Sequence, residues 1–331
     1  MTHHTIRWGI LGPGSISKKF ATGLKSVQNA TIRAVGSRDA ARADTFASTF
    51  GVPRTYGSYE ALVADPEVDV IYIGTPHSFH KVHTILCLKA GKHVLCEKPF
   101  AINASEAEEM IRTTREKGLF LMEAMWSRYL PTIVKTRELI GAGKIGEVQL
   151  IQADFGFRAQ VNPEGRLFNP SLGGGALLDV GIYPLSLAHM ILGTPSGITS
   201  SATIGSTGVD EQTAIILSYD GGQMAILSTA IRTSTPQEAT IIGTDGWIKI
   251  HRPWWISDTL TLYADGDKHT IPCPVTGNGY NYEAEEVGKC IRSGKLESDI
   301  MPLDETLSLM QVMDQIRKQI GLRYPADQAL S

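Results

Sequence analysis

The apolar run Ile6–Leu11 ends in Gly12-Pro13-Gly14 and passes at once into Ser15, Ile16 and a stretch to Phe20 that can form a helix. A strand, a tight glycine turn and a helix in that order restrict the fold more than any other segment of the chain. Gly12 has no side chain where the backbone must bend sharply, and Gly14 has none where a pyrophosphate would lie against it. A helix opening at Ile16 points its unpaired N–H groups at that anion. Gly12, Pro13, Gly14, Ser15 and Ile16 are therefore candidate cofactor-binding residues. Ser17 stands where the third glycine of a G-x-G-x-x-G pattern would fall.

Further apolar runs at Thr31–Gly36, Val68–Gly74, His93–Cys96 and Leu119–Met122 alternate with helical patterns at Ala40–Phe50, His80–Ala90 and Ser105–Lys117. Strands separated by helices pair in parallel through right-handed crossovers, giving an open α/β sheet with its ligand crevice at the strands' carboxyl ends. Gly12, Gly74 and Lys98 all fall at such ends. After a connecting helix over Arg128–Ile140, extended runs predominate from Val148 to Ile271. The turn signals Asp220-Gly221-Gly222, Thr244-Asp245-Gly246 and Asp265-Gly266-Asp267 predict an antiparallel meander there. Further helices are expected after Gly173-Gly174-Gly175 as far as Leu192, over Tyr282–Ser293 and over Leu303–Ile320. The chain divides into a dinucleotide-binding domain over residues 1–125 and a substrate-binding domain over residues 126–331.

The 331 residues, 42% hydrophobic and 20% charged, can bury a full core, and a net charge of −3 gives no electrostatic footprint for nucleic acid or an anionic membrane. No uninterrupted apolar run reaches the roughly 18 residues of a membrane span. Cys87, Cys96, Cys273 and Cys290 form no C-x-x-C pair and no secretory segment follows Met1, so a cytoplasmic protein is expected.

The second strand ends in Ser37-Arg38-Asp39. An acidic residue at that tip would accept from a free ribose 2′-hydroxyl, whereas Ser37 and Arg38 offer donors and a planar cation suited to a 2′-phosphate, which favours NADP with NAD possible. Asp39 either contacts the ribose or caps the next helix. Lys98 follows an apolar strand and precedes Pro99, which holds an ammonium at the crevice. There it could donate to a substrate oxygen or assist a neighbouring acid. Asp179 and Tyr183, four residues apart, share one helix face and can address one ligand. His77, His80 and His83 recur every three residues, but no cysteine or acidic ligand accompanies them, and no metal is expected.

Gly12-Pro13-Gly14, Gly74-Thr75-Pro76 followed by His80, Glu97-Lys98-Pro99 and the segment G-G-G-A-L-L-D-V-G-I-Y at 173–183 occur in an order and spacing that resembles the glucose–fructose oxidoreductase/inositol dehydrogenase family. The stretch Met122–Pro131 is similar to the branch of dimeric dihydrodiol dehydrogenases and NADP-dependent D-xylose dehydrogenases. The resemblance implies an N-terminal Rossmann doubly wound parallel sheet and a C-terminal α+β domain with a large, mostly antiparallel open sheet. It also implies a homo-oligomer, with a dimer favoured, formed on the face of that sheet. It adds Gly74, Thr75, Pro76, His80, Glu97 and Lys98 to the cofactor-binding candidates, with His77 standing where an asparagine is common.

Lys98 matches the family's active-site lysine. Tyr183 stands where many members have histidine, with Ser186 where an aspartate is common, and the resemblance makes Tyr183 the general acid/base and Asp179 its catalytic neighbour. A free tyrosine pKa of about 10 is too high for a base at neutral pH, so a nearby lysine cation would have to favour the phenolate. Trp126, Phe157 and Arg158 are candidates for the substrate pocket, each equally readable as packing or an ion pair. Trp254-Trp255 fits either a pocket wall or a subunit contact. The expected activity is NADP-dependent hydride transfer on a sugar, polyol or vicinal diol. The alternatives are a keto- or anhydro-sugar reductase and a non-catalytic cofactor-sensing regulator of the same architecture.

Overall fold

The computed structural model describes residues 4–330. Two compact units divide the chain: one holds the residues up to Trp126 together with Thr276–Leu307, the other Ser127–Val275 together with the chain from Ser308.

In the first unit six parallel strands form one sheet in the order β3-β2-β1-β4-β5-β6, namely β1 (Ile6–Leu11), β2 (Ala30–Gly36), β3 (Arg54–Tyr56), β4 (Val70–Ile73), β5 (His93–Glu97) and β6 (Leu121–Ala124). The order reverses between β1 and β4, so a crevice opens at their carboxyl ends, where Gly12 and Gly74 lie. The helices of this part are α1 (Ser15–Leu24), α2 (Ala40–Phe50), α3 (Tyr59–Val63), α4 (His80–Lys89) and α5 (Ala104–Lys117). Helix α1 buries Ser17, Phe20, Ala21 and Leu24, an i, i+3, i+4, i+7 stripe that faces the sheet. Phe20 anchors it by stacking on Tyr72 of β4, with ring centroids 3.9 Å apart, and by a tilted contact with Trp8 of β1 at 5.1 Å. Strand β3 and helix α3 lie in a stretch where no element was expected.

The second unit is built on an eight-stranded sheet ordered β14-β13-β12-β11-β7-β10-β9-β8. Its strands are β7 (Val148–Gly156), β8 (Gly197–Ile204), β9 (Asp210–Ser218), β10 (Met224–Ala230), β11 (Ala239–Gly243), β12 (Gly246–Ile250), β13 (Thr259–Ala264) and β14 (Asp267–Pro272). The expected simple meander is corrected here: β7 inserts between β10 and β11, pairing parallel with β10 and antiparallel with β11. The remaining pairs are antiparallel. Strand β9 alternates buried and open residues, so that Thr213, Ile215 and Leu217 face the core while Gln212, Ala214 and Ile216 face outward. Helix α6 (Pro131–Gly141) begins three residues later than expected, because Leu130, which precedes proline, is held extended at φ −64°, ψ 142°.

The glycine-rich segment becomes a 3₁₀ turn (Pro170–Leu172), a π-helical turn (Leu177–Gly181) and helix α7 (Ile182–Leu192). Pro170–Leu192 is long and apolar enough to cross a membrane by length and composition alone, yet 83% of its apolar window is buried inside the protein, as in a core helix. Helix α8 (Tyr280–Arg292) packs on α1 within the first unit, although the sequence placed it in the second domain. The contact is close: Asn278 Nδ2 donates to the Lys19 carbonyl at 2.8 Å, and a Cβ on Gly23 would lie 2.5 Å from Asn278 Oδ1. Helix α9 (Leu303–Ile320) is followed by a 3₁₀ turn at Pro325–Leu330.

Candidate active site

Gly12 has φ +88°, a region costly for any residue with a Cβ, and its N–H is bonded to the Gly36 carbonyl. The missing third glycine is compensated locally. Ser17 turns its hydroxyl back onto the Gly12 carbonyl at 2.6 Å, and a Cβ on Gly74 would lie 2.2 Å from Ser17 Oγ. The close approach of helix to sheet is therefore made by Gly74 across the switch point instead of by the helix's own third glycine. Gly12, Gly14 and Gly74 together leave the backbone cradle open in front of the N-terminus of α1, as a bound pyrophosphate requires.

Asp39 caps α2, its carboxylate accepting from the Arg42 amide at 3.4 Å, while Ser37 is buried at the strand tip. Arg38 is exposed and lies over the Phe79 ring, 5.5 Å from its centroid. His83 joins this corner. Its ring stacks on Phe79 at 5.7 Å, meets Tyr59 edge-on at 4.7 Å and lies 3.0 Å from Thr75 Oγ1. Burial, then His80 and Arg38, push its pKa down to about 4.

His80 is fully buried, and its ring nitrogens lie 2.8 Å from the Pro99 carbonyl and 2.9 Å from the Thr75 carbonyl. It thus ties the turn after β4 to the turn after β5. Burial is the largest influence on its pKa and lowers it, with nearby Lys98 acting in the same direction. Among the described residues no group of three or more His, Cys, Asp or Glu side chains is gathered as a metal site.

Lys98 follows β5 directly, and the Lys98–Pro99 peptide is cis. Glu97 orients it: one carboxylate oxygen accepts from the Lys98 amide at 3.2 Å and the other from the Tyr72 hydroxyl at 2.5 Å. Behind Glu97 lies Glu283 of α8, fully buried, whose oxygens have no hydrogen-bond partner among the described residues. Burial, then the Glu97 charge, raises its pKa well above the usual carboxylate range. Sequence reasoning missed Glu283, because nothing local distinguishes it from other glutamates on an amphipathic helix.

Asp179 and Tyr183 belong to the second unit. Asp179 sits in the π-turn, buried, and pairs with the exposed Arg166 at 2.7 Å. Tyr183, on the first turn of α7, stands against an aromatic cluster: Phe155 at 5.2 Å and Trp255 at 6.4 Å, with Phe155 and Trp255 stacked at 3.3 Å. Trp254 anchors that cluster by donating its indole N–H to the Asp154 carbonyl at 2.8 Å.

Of the three substrate-pocket candidates, Phe157 joins the cluster, 6.4 Å from Phe155. Arg158 is exposed at an isolated bridge to Arg232. Trp126 lies in the first unit, stacked on Tyr280 at 4.6 Å. Ser186, one turn beyond Tyr183, accepts from Arg128 Nε at 2.8 Å, and its carbonyl takes a second guanidinium bond at 3.0 Å. This contact ties α7 to the segment that precedes α6.

Residues 6–125 match an oxidoreductase family with an NAD-binding Rossmann fold, and residues 133–249 match the GFO/IDH/MocA C-terminal domain. The chain belongs to the GFO/IDH/MocA oxidoreductase family, and it is an NAD(P)-dependent oxidoreductase. It is similar over 97% of its length to the trans-1,2-dihydrobenzene-1,2-diol dehydrogenases of Mus musculus (40% identical) and Homo sapiens (37% identical), covering 99% of each. Its fold matches an aldose-aldose oxidoreductase from Caulobacter crescentus (TM-score 0.88, 24% identical, 96% of this chain and 97% of that one). It also matches a 3-ketoreductase from Actinomadura kijaniata solved with NADP (TM-score 0.87, 24% identical, 96% and 98%).

Proposed function

We propose that the protein is an NADP-dependent dehydrogenase of vicinal diols and sugar-like polyols, with trans-dihydrodiols of flat rings as its best substrates. The observation that carries this reading is the aromatic cluster of Phe155, Phe157 and Trp255 against Tyr183. Such a wall favours a flat apolar ring over a fully hydroxylated one by excluding water from its faces. The names of the mammalian relatives support the same choice. Bound NADP supplies the hydride acceptor in oxidation and the donor in reduction.

The chain's own residues position the substrate and move the proton. Tyr183 takes the proton of the reacting hydroxyl during oxidation and returns it during reduction. Lys98 stabilises the phenolate and donates to the reacting oxygen, its backbone held by Glu97. Asp179 orients the second hydroxyl. The experiment is a panel of trans-diols, aldoses, inositols and anhydro-sugars with each cofactor. Turnover of diols with NADP is the expected result, and no turnover of any member would overturn the reading.

The NADP preference rests on Ser37 and Arg38. A charge-assisted contact to a 2′-phosphate is worth about 1.5–3 kcal/mol, so Arg38→Ala should weaken NADP binding by roughly 10- to 100-fold and leave NAD almost unchanged. Equal losses for both cofactors in a fluorescence titration would remove Arg38 from this role. Cytoplasmic residence belongs to the same proposal, supported by four buried cysteines that are all free.

A homodimer is proposed on the open face of the second unit's sheet. Cross-strand neighbours Met224, Leu150, Ile242, Trp247 and Tyr263 form a row across it, and Ile216 and Ile226 are 42% and 44% exposed. Sedimentation should give the mass of two chains, and Ile226→Lys should give one. A wild-type monomer at micromolar concentration sinks this part.

A further inference from the structure

Asp210, at the start of β9, is completely buried and about thirty residues along the chain from Asp179 and Tyr183. One carboxyl oxygen, Oδ2, accepts from the Leu177 amide at 2.8 Å and from the Thr213 hydroxyl at 2.7 Å. Leu177 is the first residue of the π-turn that carries Asp179 and leads into Tyr183. The other oxygen, Oδ1, has no hydrogen-bond partner among the described residues and fills the place a Cβ on Gly175 would take, 2.2 Å away. Tyr324 closes the same pocket, donating to the Gly174 carbonyl at 2.5 Å.

We propose that Asp210 is a positioning residue for the reaction assigned above: it clamps the first amide of the π-turn and so fixes the register of Asp179 and Tyr183. This inference rests on the proposed function for its catalytic consequence, but not for the clamp itself. The first N–H groups of a helical turn have no partner inside it, so the Leu177 amide takes one from outside. Asp210 supplies that partner from a neighbouring strand, and Thr229 adds a weaker bond to the Ala176 carbonyl at 3.3 Å.

The clamp is coupled to a proton. Burial raises the Asp210 carboxyl to about 7 against the lowering effects of Thr213 and the Leu177 amide. The charged and titratable groups around it are Tyr324, itself raised by burial and by Asp210, and Arg317, which lies over the Tyr324 ring and pairs with Asp314 and Asp327. On the turn itself Asp179 pairs with Arg166. A carboxyl whose folded pKa lies above its free value binds a proton more tightly when the clamp is closed. Opening therefore releases that proton, and the clamp weakens as pH rises from about 4 to about 7, then levels off.

Hydrogen exchange of residues 176–183, corrected for intrinsic rates, tests this in the full-length protein. In the wild type, protection should fall about tenfold per pH unit below about 7 and flatten above it, following one released proton. Asp210→Asn should show no such slope. Thr213→Val, which removes a donor that favours the anion, should carry the slope to higher pH, and it serves as the test if the asparagine variant does not fold. With the best diol, Asp210→Asn should lower kcat at least tenfold and leave the NADP dissociation constant within twofold. Absence of the slope in the wild type, or the same slope in Asp210→Asn, overturns the proton coupling, and protection of residues 176–183 in Asp210→Asn equal to that of the wild type across the pH range overturns the clamp. An unchanged kcat overturns the positioning role. If no substrate is turned over, the functional reading fails while the exchange result still decides the clamp.

Discussion

Replacing Lys98 with methionine should lower kcat by about 10²- to 10⁴-fold while NADP binding changes little. Methionine keeps the length and most of the volume of the side chain and removes only the charge. The backbone around it is held by groups the substitution does not touch: Glu97 on the Lys98 amide, Tyr72 on Glu97 and His80 between the Thr75 and Pro99 carbonyls. A loss of turnover would therefore report the ammonium and not a displaced loop. If Lys98 acts by favouring the Tyr183 phenolate, the two residues work as one unit. Lys98→Met combined with Tyr183→Phe should then be no slower than the worse single variant. The pH profile gives a second reading. Without the cation the phenol returns toward its free value of about 10, so for diol oxidation, where Tyr183 must be ionised to act, the acid-side limb of kcat in Lys98→Met should move to higher pH. Wild-type turnover in Lys98→Met, or losses that multiply in the double variant, would break the assignment.

The strands and turns that carry the candidate dinucleotide site were legible because their signals are local. Parallel strands buried on both faces read as continuous apolar runs, and each run ends where a candidate binding turn begins, at Gly12, Gly74 and Lys98. Asp39 was ambiguous in sequence, since a cap and a ribose acid share a residue type, and only its bond to the Arg42 amide decides between them. What could not be read depends on long-range placement. Strand β7 lies between β10 and β11, and no property of Val148–Gly156 reveals its parallel neighbour some seventy positions later. Trp255 meets Phe155 from a hundred residues away, and Arg166 reaches Asp179 out of an irregular loop. Helix α8 joins the first unit through side chains of ordinary appearance, Asn278, Tyr280 and Glu283, whose role comes from what they face. Strand β3 was missed because it has three residues and is only partly buried.

Gly175→Ala should be among the most destabilising single substitutions in the second unit, by roughly 3–5 kcal/mol from two separable causes. The first is conformational. Gly175 has φ +119°, outside even the left-handed region that asparagine tolerates, and an alanine held there costs on the order of 1–3 kcal/mol. The second is steric. The new Cβ would lie 2.2 Å from Asp210 Oδ1 and 3.1 Å from the Tyr324 hydroxyl, and neither can retreat, since both are buried and bonded to this same segment. A methyl forced into that space must displace Asp210 from the Leu177 amide, adding the cost of a buried amide left unpaired.

A double-mutant cycle with Asp210→Ala would separate the causes. In that background the methyl has room, so Gly175→Ala should retain only its backbone strain, and the pair should couple by about 1–3 kcal/mol. For a unit of this size the single substitution should lower Tm by roughly 10 °C. A variant as stable as the wild type would show that the turn before Leu177 accommodates a side chain, and that Asp210 is not seated against it as described.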